Sequence, residues 1–391
     1  MKMRKEVACV SPTTVAISLS CFSFASFFTL FPAYFPREAE NRGYSKSLTG
    51  AAFIFQFIFT FIGSIKMHRI IDGFSRKGTV LLGISLHLPV ALILGTIPFL
   101  DDTTFMVLAF LARLISGFAE ACTLGSMFAL INVVFPTRVP SLTAVLQVSM
   151  SVGFFSGPFF GGFLLDTWNF STMYYAFGGY VLVVVVLVYF LLDKQIVNVT
   201  TDALASTPSA NEEEGDLDQT TIDLGRVNRY AAIFSEKRAF FAALSQVVTL
   251  GNLVLVDAVI TVYWQEEFGL SESFSGSMYS TTYIGLSFTP LVYPWICRFF
   301  HPRFFIFFGL TMESCMILLF YGPSRTMPNK WQVALVGMVL GKCFNGFTFI
   351  SIMPEVTEAC LERFQISNLP PEVGDKVGVI NTATIAMGTI F

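Results

Sequence analysis

The chain has 391 residues, of which 54 % are apolar and only 13 % are charged, and its formal net charge is −3. Its mean hydropathy is +0.66. Soluble domains carry about 25 % charged residues, so this chain has too few charges to cover a water-facing surface, and we expect it to face lipid. These values exclude a cytosolic enzyme, a secreted disulfide scaffold and, because there is no basic arm, a protein that binds nucleic acid.

Long apolar runs recur along the whole chain. A membrane helix needs about 20 mostly apolar residues. Runs of this kind occupy 12–36, 47–66, 79–99, 104–134, 140–165, 172–192, 238–261, 274–296, 304–322 and 331–354, and an eleventh begins near Gly374. The first run is too long for a cleaved signal peptide. The sequence therefore predicts an all-α membrane protein with about 11 spans.

One long polar segment divides these runs into two groups. Residues 194–237 contain an acidic stretch and several Ser and Thr residues, a composition typical of a flexible linker. We expect a six-helix N-terminal half at 1–193, a linker at 194–237 and a C-terminal half at 238–391. The second half stops inside its fifth helix, so we expect either a fragment, which we favour, or a partial transporter that cannot close its cavity. Two repeated halves are common in secondary transporters.

The basic residues predict the orientation of the spans. Loops on the side of the N-terminus and the linker carry most of the Lys and Arg residues, including Lys66 and Arg69, whereas the opposite loops carry Asp101 and Asp102. The positive-inside rule therefore places the N-terminus and the central linker in the cytoplasm.

The loop after the second run carries a cluster of charges. Asp72, Arg76 and Lys77 match the signature G-x-x-x-D-R-x-G-R-R of the major facilitator superfamily, whereas Gly73 and Ser75 replace its Arg and Gly. The resemblance implies that these charges hold the cytoplasmic ends of two halves together. The alternative is an ordinary basic cytoplasmic loop.

The fourth run contains Arg113, Gly117 and Glu120, which the helical period places on one face. An arginine in hydrocarbon costs at least about 2.5 kcal/mol, so it is expected to face a partner or a wet cavity. The R-x-x-x-G spacing resembles a pattern in the fourth helix of proton antiporters for drugs and amines. Alternatively, Arg113 and Glu120 neutralise each other.

The fifth run contains Gly153, Gly157, Pro158, Gly161 and Gly162. Small residues allow helices to approach closely, and proline bends a helix where its hydrogen bond is missing. The string resembles G-x-x-x-G-P-x-x-G-G, the antiporter motif of the same superfamily. Ordinary helix packing is the alternative explanation.

A closer resemblance is to the vesicular amine (solute carrier 18) family, in particular its polyamine-carrying branch. Residues 35–45 resemble the stretch F-P-x-E-A-E-x-x-G-x-S, and Pro354 with Glu355 resembles a P-E step in the tenth helix. Asp257 corresponds to an acidic position in the seventh helix. The resemblance covers nearly all of the chain except the linker, and it implies a major facilitator fold in the membrane of a vesicle or another acidic organelle.

Acidic residues inside apolar runs are candidates for binding cations. An ionised carboxylate there is expensive unless it meets a cation, so Asp257 can hold a proton in one state and an amine in another. Alternatively, Asp257 forms a salt bridge with Arg113 or Lys342. Glu355 is a second candidate, or else an end residue that reaches the interface, and Asn345 is expected to line the cavity beside Lys342. Glu313, in the ninth run, is expected to be peripheral.

These residues and the resemblance predict a proton-coupled antiporter of organic cations, polyamines or monoamines, that works by alternating access. We expect the substrate to contact Asp257, Glu120, Glu355 and Asn345, and the proton to involve Asp257, Arg113 and Glu120. The expected partners are a small cationic solute, protons and the lipid bilayer. No cofactor or metal is expected, and the expected state is a monomer.

Two other functions are compatible with the sequence. The same fold could carry hydrophobic drugs, or organic anions through Arg113 and Lys342. It could also act as a membrane receptor or scaffold that transports nothing. The three His residues are scattered and no nucleophile has a base nearby in the sequence, so an enzyme is not expected.

Overall fold

The computed structural model describes residues 12–135, 138–192, 233–270, 272–321, 329–364 and 371–390. Within these ranges the chain forms eleven α-helices and no strand, so the all-helical prediction is confirmed. The helices are α1 Pro12–Asn41, α2 Lys46–Ser85, α3 His87–Thr96, α4 Asp102–Val134, α5 Val139–Thr167, α6 Phe170–Leu191, α7 Lys237–Phe268, α8 Glu272–Ile296, α9 Pro302–Tyr321, α10 Trp331–Phe364 and α11 Pro371–Ile390.

Eight stretches among the described residues are long and apolar enough to cross a membrane. They are Pro12–Asn41, Ser47–Met67, Arg69–Phe99, Asp102–Asn132, Val139–Thr167, Phe170–Leu191, Lys237–Asp257 and Trp331–Arg363. Helices α8, α9 and α11 form where spans are predicted but are not among the eight. The total of 11 spans therefore stays a prediction.

Contacts between helix ends give the bundle two ends: the end of α1 meets the end of α3, the break in α2 meets the end of α6, and the start of α9 meets the last part of α10. We call the end where α6 stops and α7 begins the linker end, and the other the opposite end. Residues 194–232 of the predicted linker (194–237) lie outside the described residues. At the opposite end, the guanidinium of Arg42 donates hydrogen bonds to the carbonyls of Pro98 (2.6 Å) and Leu100 (2.9 Å) and fixes the end of α1.

Helix α2 contains a break where the signature loop is predicted. Ser75 has φ +62° and ψ 164°, a conformation that only glycine adopts without strain. The signature has glycine at this position, so the structure gives a physical reason for that glycine. The Ser75 hydroxyl accepts a hydrogen bond from the amide of Gly78 (3.3 Å) and caps the helical segment that follows.

Helices α1 and α5 approach closely at the glycines of the fifth run. A Cβ atom at Gly157 would lie 2.3 Å from the carbonyl oxygen of Ser26, and one at Gly153 would lie 2.6 Å from that of Phe22. Any larger residue at either position would force the two backbones apart.

The rest of the fifth-run motif packs against Tyr34 of α1. Pro158 lies inside α5, and its carbonyl accepts a hydrogen bond from the Tyr34 hydroxyl. Gly161 and Gly162 lie beside the same tyrosine: a Cβ atom would be 2.8 Å from its ring at Gly161 and 3.0 Å from its hydroxyl at Gly162. All five predicted motif residues therefore face or adjoin α1.

We call α1–α6, before the predicted linker, the N-terminal bundle and α7–α11, after it, the C-terminal bundle; the two groups of helices meet along α11 and α8. Helix α11 packs on α2 and α4, and a Cβ atom at Gly378 would lie 2.7 Å from the amide nitrogen of Ala129. Helix α8 packs on α5, where the rings of Phe154 and Tyr283 are 5.3 Å apart. The contact with α11 closes the bundle at the linker end.

Candidate functional site

A buried ion pair joins α7 to α10 in the C-terminal bundle. The Lys342 ammonium lies 2.7 Å from Oδ1 of Asp257 and 3.0 Å from its Oδ2. The side chains are only 4 % and 13 % exposed, respectively. Of the two cationic partners considered for Asp257 in the sequence, the structure places Lys342 at its carboxylate and Arg113 elsewhere.

Two tyrosines of α8 complete the surroundings of this ammonium. Tyr283 donates a hydrogen bond from its hydroxyl to Oδ2 of Asp257 (2.7 Å), and the centre of its ring is 3.5 Å from the Lys342 nitrogen. The Tyr279 ring is 5.2 Å from the same nitrogen, and the two tyrosine hydroxyls are 3.0 Å apart. Aromatic faces attract cations at such distances. We call Asp257, Tyr279 and Tyr283 the ammonium cage.

Neither tyrosine is predicted from the sequence as a site residue. A spacing of four residues places them on one face of α8, but nothing in the sequence says that this face meets Asp257. The only available signal is the pair itself, in a stretch that is rich in Ser and Thr.

A second carboxyl lies beside the cage. Glu313 of α9 is 4 % exposed, and its Oε1 accepts a hydrogen bond from the Asn345 amide (3.0 Å). Asn345 also donates to the carbonyl of Thr249 (3.2 Å). The other carboxyl oxygen, Oε2, is buried and has no hydrogen-bond partner among the described residues. Glu313 is therefore part of the central network rather than a peripheral residue.

One cavity connects these groups. It is lined by Asp257, Glu313 and Lys342, together with Asn252 and with apolar side chains and glycines of α7, α9 and α10. Its lining residues on α10 lie in the first part of that helix, so the cavity is nearer the opposite end than the linker end. The predicted residue Asn345 is adjacent to it and holds Glu313 in place.

Glu120 lies in the N-terminal bundle, between α4 and α2. Its Oε2 accepts hydrogen bonds from the Gln56 amide (2.8 Å) and the Thr60 hydroxyl (3.0 Å), and its side chain is 3 % exposed. Gly117 allows the two helices to meet there, because a Cβ atom would lie 2.2 Å from the Gln56 carbonyl oxygen. The structure thus does not bring Glu120 to the ammonium cage.

Arg113 lies against aromatic rings instead of carboxylates. Its guanidinium carbon is 4.1 Å from the centre of the Phe31 ring and 5.8 Å from that of Phe53. Its side chain is buried, and the Nε and Nη2 groups find no hydrogen-bond partner in the described part of the chain. No ion pair links it to Glu120 in the described residues, so the two groups do not neutralise each other by direct contact.

Glu355 occupies a third place, at the linker end. Its Oε1 lies 3.0 Å from Nε of both Arg238 and Arg303. Lys342 is 13 residues earlier on the same helix, so the two positions are about 20 Å apart along the axis. Glu355 and Asp257 therefore do not face one common cation. The role of Glu355 in binding stays a prediction, and its two arginine partners favour a structural role.

The signature loop joins the two bundles at the linker end. Arg76 donates from Nε to Oδ1 of Asp375 (3.0 Å) and from Nη2 to Oδ2 (2.7 Å), and both side chains are only 6 % exposed. Asp375 lies near the start of α11 and was not singled out in the sequence. Lys77 donates to the carbonyl of Tyr189 (2.8 Å) at the end of α6, and Asp72 is exposed on the preceding helical turn.

Comparison with known proteins places these features in a family. The sequence matches the Major Facilitator Superfamily over residues 14–390. It is 22 % identical over 377 residues to the MFS-type transporter SLC18B1 of Mus musculus, covering 91 % of this chain and 72 % of the relative. The Homo sapiens protein of the same name is 21 % identical over 354 residues, covering 88 % and 70 %.

Two solved structures share the fold. The proton:xylose symporter XylE superposes with a TM-score of 0.72 at 14 % identity, covering 97 % of this chain and 86 % of that one. The E. coli fucose:proton symporter FucP superposes with a TM-score of 0.60 at 16 % identity, covering 96 % and 89 %. At these identities the similarity establishes the fold alone.

Proposed function

Because the chain belongs to the Major Facilitator Superfamily, whose members are multi-pass membrane transporters of small solutes, we propose that it is a proton-coupled antiporter of organic cations. The substrates we propose are polyamines or monoamines, and the mechanism is alternating access. One observation carries the proposal: the ammonium cage already holds an ammonium group, that of Lys342, between a carboxylate and an aromatic face.

The chemistry of the cage supports this class of cargo. The terminal ammonium of a polyamine has the same charge, size and N–H donors as the Lys342 nitrogen, so it can occupy the same position. The cavity lined by Asp257, Glu313 and Lys342 adjoins this position. The resemblance of residues 35–45 to the polyamine-carrying branch of the vesicular amine family supports the same choice.

Proton coupling follows from the cost of buried charge. Removing a lone charge from water is unfavourable, so a buried site that accepts a cation favours the release of another positive charge. In this proposal the positive charge that is released is a proton. One pH unit is worth about 1.4 kcal/mol per proton, so a gradient of two units sustains roughly a hundredfold accumulation in a one-for-one exchange.

Alternating access is supported by the contacts between the bundles. Arg76, Asp375 and the packing of α11 on α2 and α4 hold the linker end closed, and the cavity lies nearer the opposite end. In our proposal the linker end is cytoplasmic, the opposite end faces the lumen of an acidic vesicle, and residues 1–193 and 238–391 belong to the two halves that rock. Arg113 and Glu120 contribute to proton movement in the first half.

The test is transport by purified protein in lipid vesicles with an acidic interior. We expect labelled spermidine to accumulate inside and to leave when an ionophore collapses the gradient. Asp257→Asn is expected to abolish this uptake because it removes the carboxylate of the cage. Asp166→Asn, the same substitution at an exposed position of α5, serves as the matched control and is expected to transport normally. Uptake by Asp257→Asn at the wild-type rate would remove Asp257 from the mechanism.

A second candidate is transport of an organic anion, which the unpaired Nε and Nη2 groups of the Arg113 guanidinium favour. Counterflow separates the candidates: preloaded vesicles are offered labelled spermidine, a hydrophobic cationic drug or a dicarboxylate. Exchange of the dicarboxylate alone, lost in Arg113→Gln, would identify an anion carrier. Exchange of no solute would favour a receptor or scaffold.

A further inference from the structure

The cavity beside Asp257 is also lined by a second acidic residue, Glu313, to which the proposed exchange at Asp257 gives no role. Glu313 lines the same cavity as Asp257 and Lys342, from a third helix. It is held by Asn345 through Oε1, while Oε2 is buried without a hydrogen-bond partner among the described residues. The Glu313 side chain is only 4 % exposed and faces a cavity. Buried polar atoms normally have a hydrogen-bond partner, so its Oε2 is able to accept a further hydrogen bond.

The charges around the cavity do not balance when all groups are ionised. The titratable groups that face Glu313 are Asp257 from α7 and Lys342 from α10, with the neutral amide of Asn345 beside them. One ammonium cannot neutralise two carboxylates. Because Lys342 contacts Asp257, the state in which Glu313 is neutral, with a proton on its carboxyl, avoids an uncompensated buried charge.

Lys342 lines one cavity together with two acidic groups, Asp257 and Glu313. A lysine ammonium sits on a four-carbon stem and can change its partner by rotation about that stem. On α10, Asn345 follows Lys342 by one turn and holds Glu313 by its other oxygen, so the free Oε2 is available to a second donor.

We propose that Glu313 carries the exchanged proton and that Lys342 alternates between Asp257 and Glu313. This inference rests on the proposed exchange of cations for protons. When a cargo ammonium enters the cage, it takes the place of the Lys342 nitrogen at Asp257. Lys342 moves to Glu313, and the Glu313 O–H bond breaks, so that its proton leaves into the cavity water. One positive charge enters and one leaves, and the total charge of the site is unchanged.

The reverse sequence releases the cargo. A proton from the acidic side binds Glu313 and displaces Lys342, which returns to Asp257 and expels the cargo ammonium from the cage. Lys342 is thus a tethered competitor of the substrate. In this scheme Glu313 carries the proton, which separates it from a scheme in which Asp257 itself takes up the proton.

The test compares Glu313→Gln, Lys342→Met and the double variant in the vesicle assay, at a series of pH gradients. Glu313→Gln is expected to raise the KM for spermidine at least about tenfold, because Lys342 has no second carboxylate to move to. Its remaining uptake is expected not to respond to the gradient. Lys342→Met is expected to lower the KM by a similar factor, because the competitor is gone.

The double variant distinguishes this role from a structural one. If Lys342 acts as the competitor, removing it from Glu313→Gln restores a low KM, while the response to the gradient stays lost. Glu313→Asp, which keeps the carboxyl, is expected to retain gradient-driven uptake. Glu266→Gln, an exposed position near the end of α7, is the control and is expected to match the wild type.

Two outcomes overturn the inference. One is a Glu313→Gln variant with the wild-type KM and the wild-type response to the gradient. The other is a double variant with the same raised KM as Glu313→Gln alone. If the wild-type protein carries no cation at all, the proposed function fails together with this inference. If the wild type carries spermidine and Glu313→Gln is unchanged, the inference alone fails.

Discussion

At the scale of single residues, the contacts of Lys342 show which kind of group fits the ammonium cage. Its nitrogen donates hydrogen bonds to Asp257 as well as facing the Tyr283 ring, so we expect the cage to select N–H donors in addition to positive charge. A quaternary ammonium has the charge but no N–H group. Aromatic faces alone attract either kind of cation.

This geometry predicts selectivity among cations. We expect primary amines to compete with labelled spermidine at least about tenfold better than choline does, because only they make the charge-assisted hydrogen bonds to Asp257. The measurement is the concentration of each competitor that halves uptake in vesicles. Equal competition by choline would show that the aromatic faces, rather than the carboxylate, dominate recognition.

The acidic residues show how far sequence reasoning reaches at this scale. Asp257 could be predicted as a site because a carboxylate in an apolar run needs a partner, and Lys342 was one of two partners considered. Tyr283 and Glu313 could not be predicted, because the first is 26 positions from Asp257 and the second 32 from Asn345. Contacts over such separations depend on helix packing rather than on local pattern.

At the scale of helices, the close contact of α1 and α5 depends on Gly157. Gly157→Ala places a methyl group against the carbonyl oxygen of Ser26 and is expected to lower the free energy of unfolding by about 1–3 kcal/mol. Gly179→Ala is the matched control on α6, where a Cβ atom would meet nothing within 4 Å. Thermal unfolding in detergent measures both variants. Equal melting temperatures would contradict the described packing of α1 on α5.

The break in α2 gives a prediction of opposite sign. Ser75→Gly is expected to raise the free energy of unfolding by about 1 kcal/mol, because glycine relieves the strain at positive φ and the lost helix cap is worth only a few tenths. Ser149→Gly, in the regular helix α5, is expected to lower it by about 0.5 kcal/mol. A destabilised Ser75→Gly variant would show that the hydroxyl cap outweighs the strain.

The positions of the helices were largely predictable from the sequence. In lipid, a run of about 20 apolar residues can form all its backbone hydrogen bonds within the segment only as a helix. The structural effect of the prolines was harder to predict. Pro32, Pro36 and Pro354 lie inside helices rather than ending them, since packing against neighbours within the bundle compensates for the missing hydrogen bonds. Hydropathy gives no measure of that compensation.

At the scale of the whole molecule, the ion pair of Arg76 and Asp375 joins α2 of one bundle to α11 of the other. The pair is buried and bidentate, and removing one partner of such a pair costs about 3–5 kcal/mol. Because the contact lies at the linker end, its loss is expected to favour the state that is open there.

This pair allows a reversal test. Asp375→Asn is expected to expose a cysteine placed at Ala129 to a thiol reagent, because α11 no longer covers α4 at the linker end. The combination Arg76→Asp with Asp375→Arg restores the attraction and is expected to restore protection at least in part. Labelling rates that do not change in Asp375→Asn would show that the pair does not control closure.

The most direct test of the account is to follow protons and cargo together in the same vesicles. Purified protein is reconstituted with an internal pH dye and no imposed gradient, and spermidine is then added outside. We predict that the interior loses protons as spermidine enters, that the two fluxes rise together, and that Asp257→Asn shows neither. Spermidine entry with protons moving inward, or with no proton movement, would contradict an exchange of protons for amine cations.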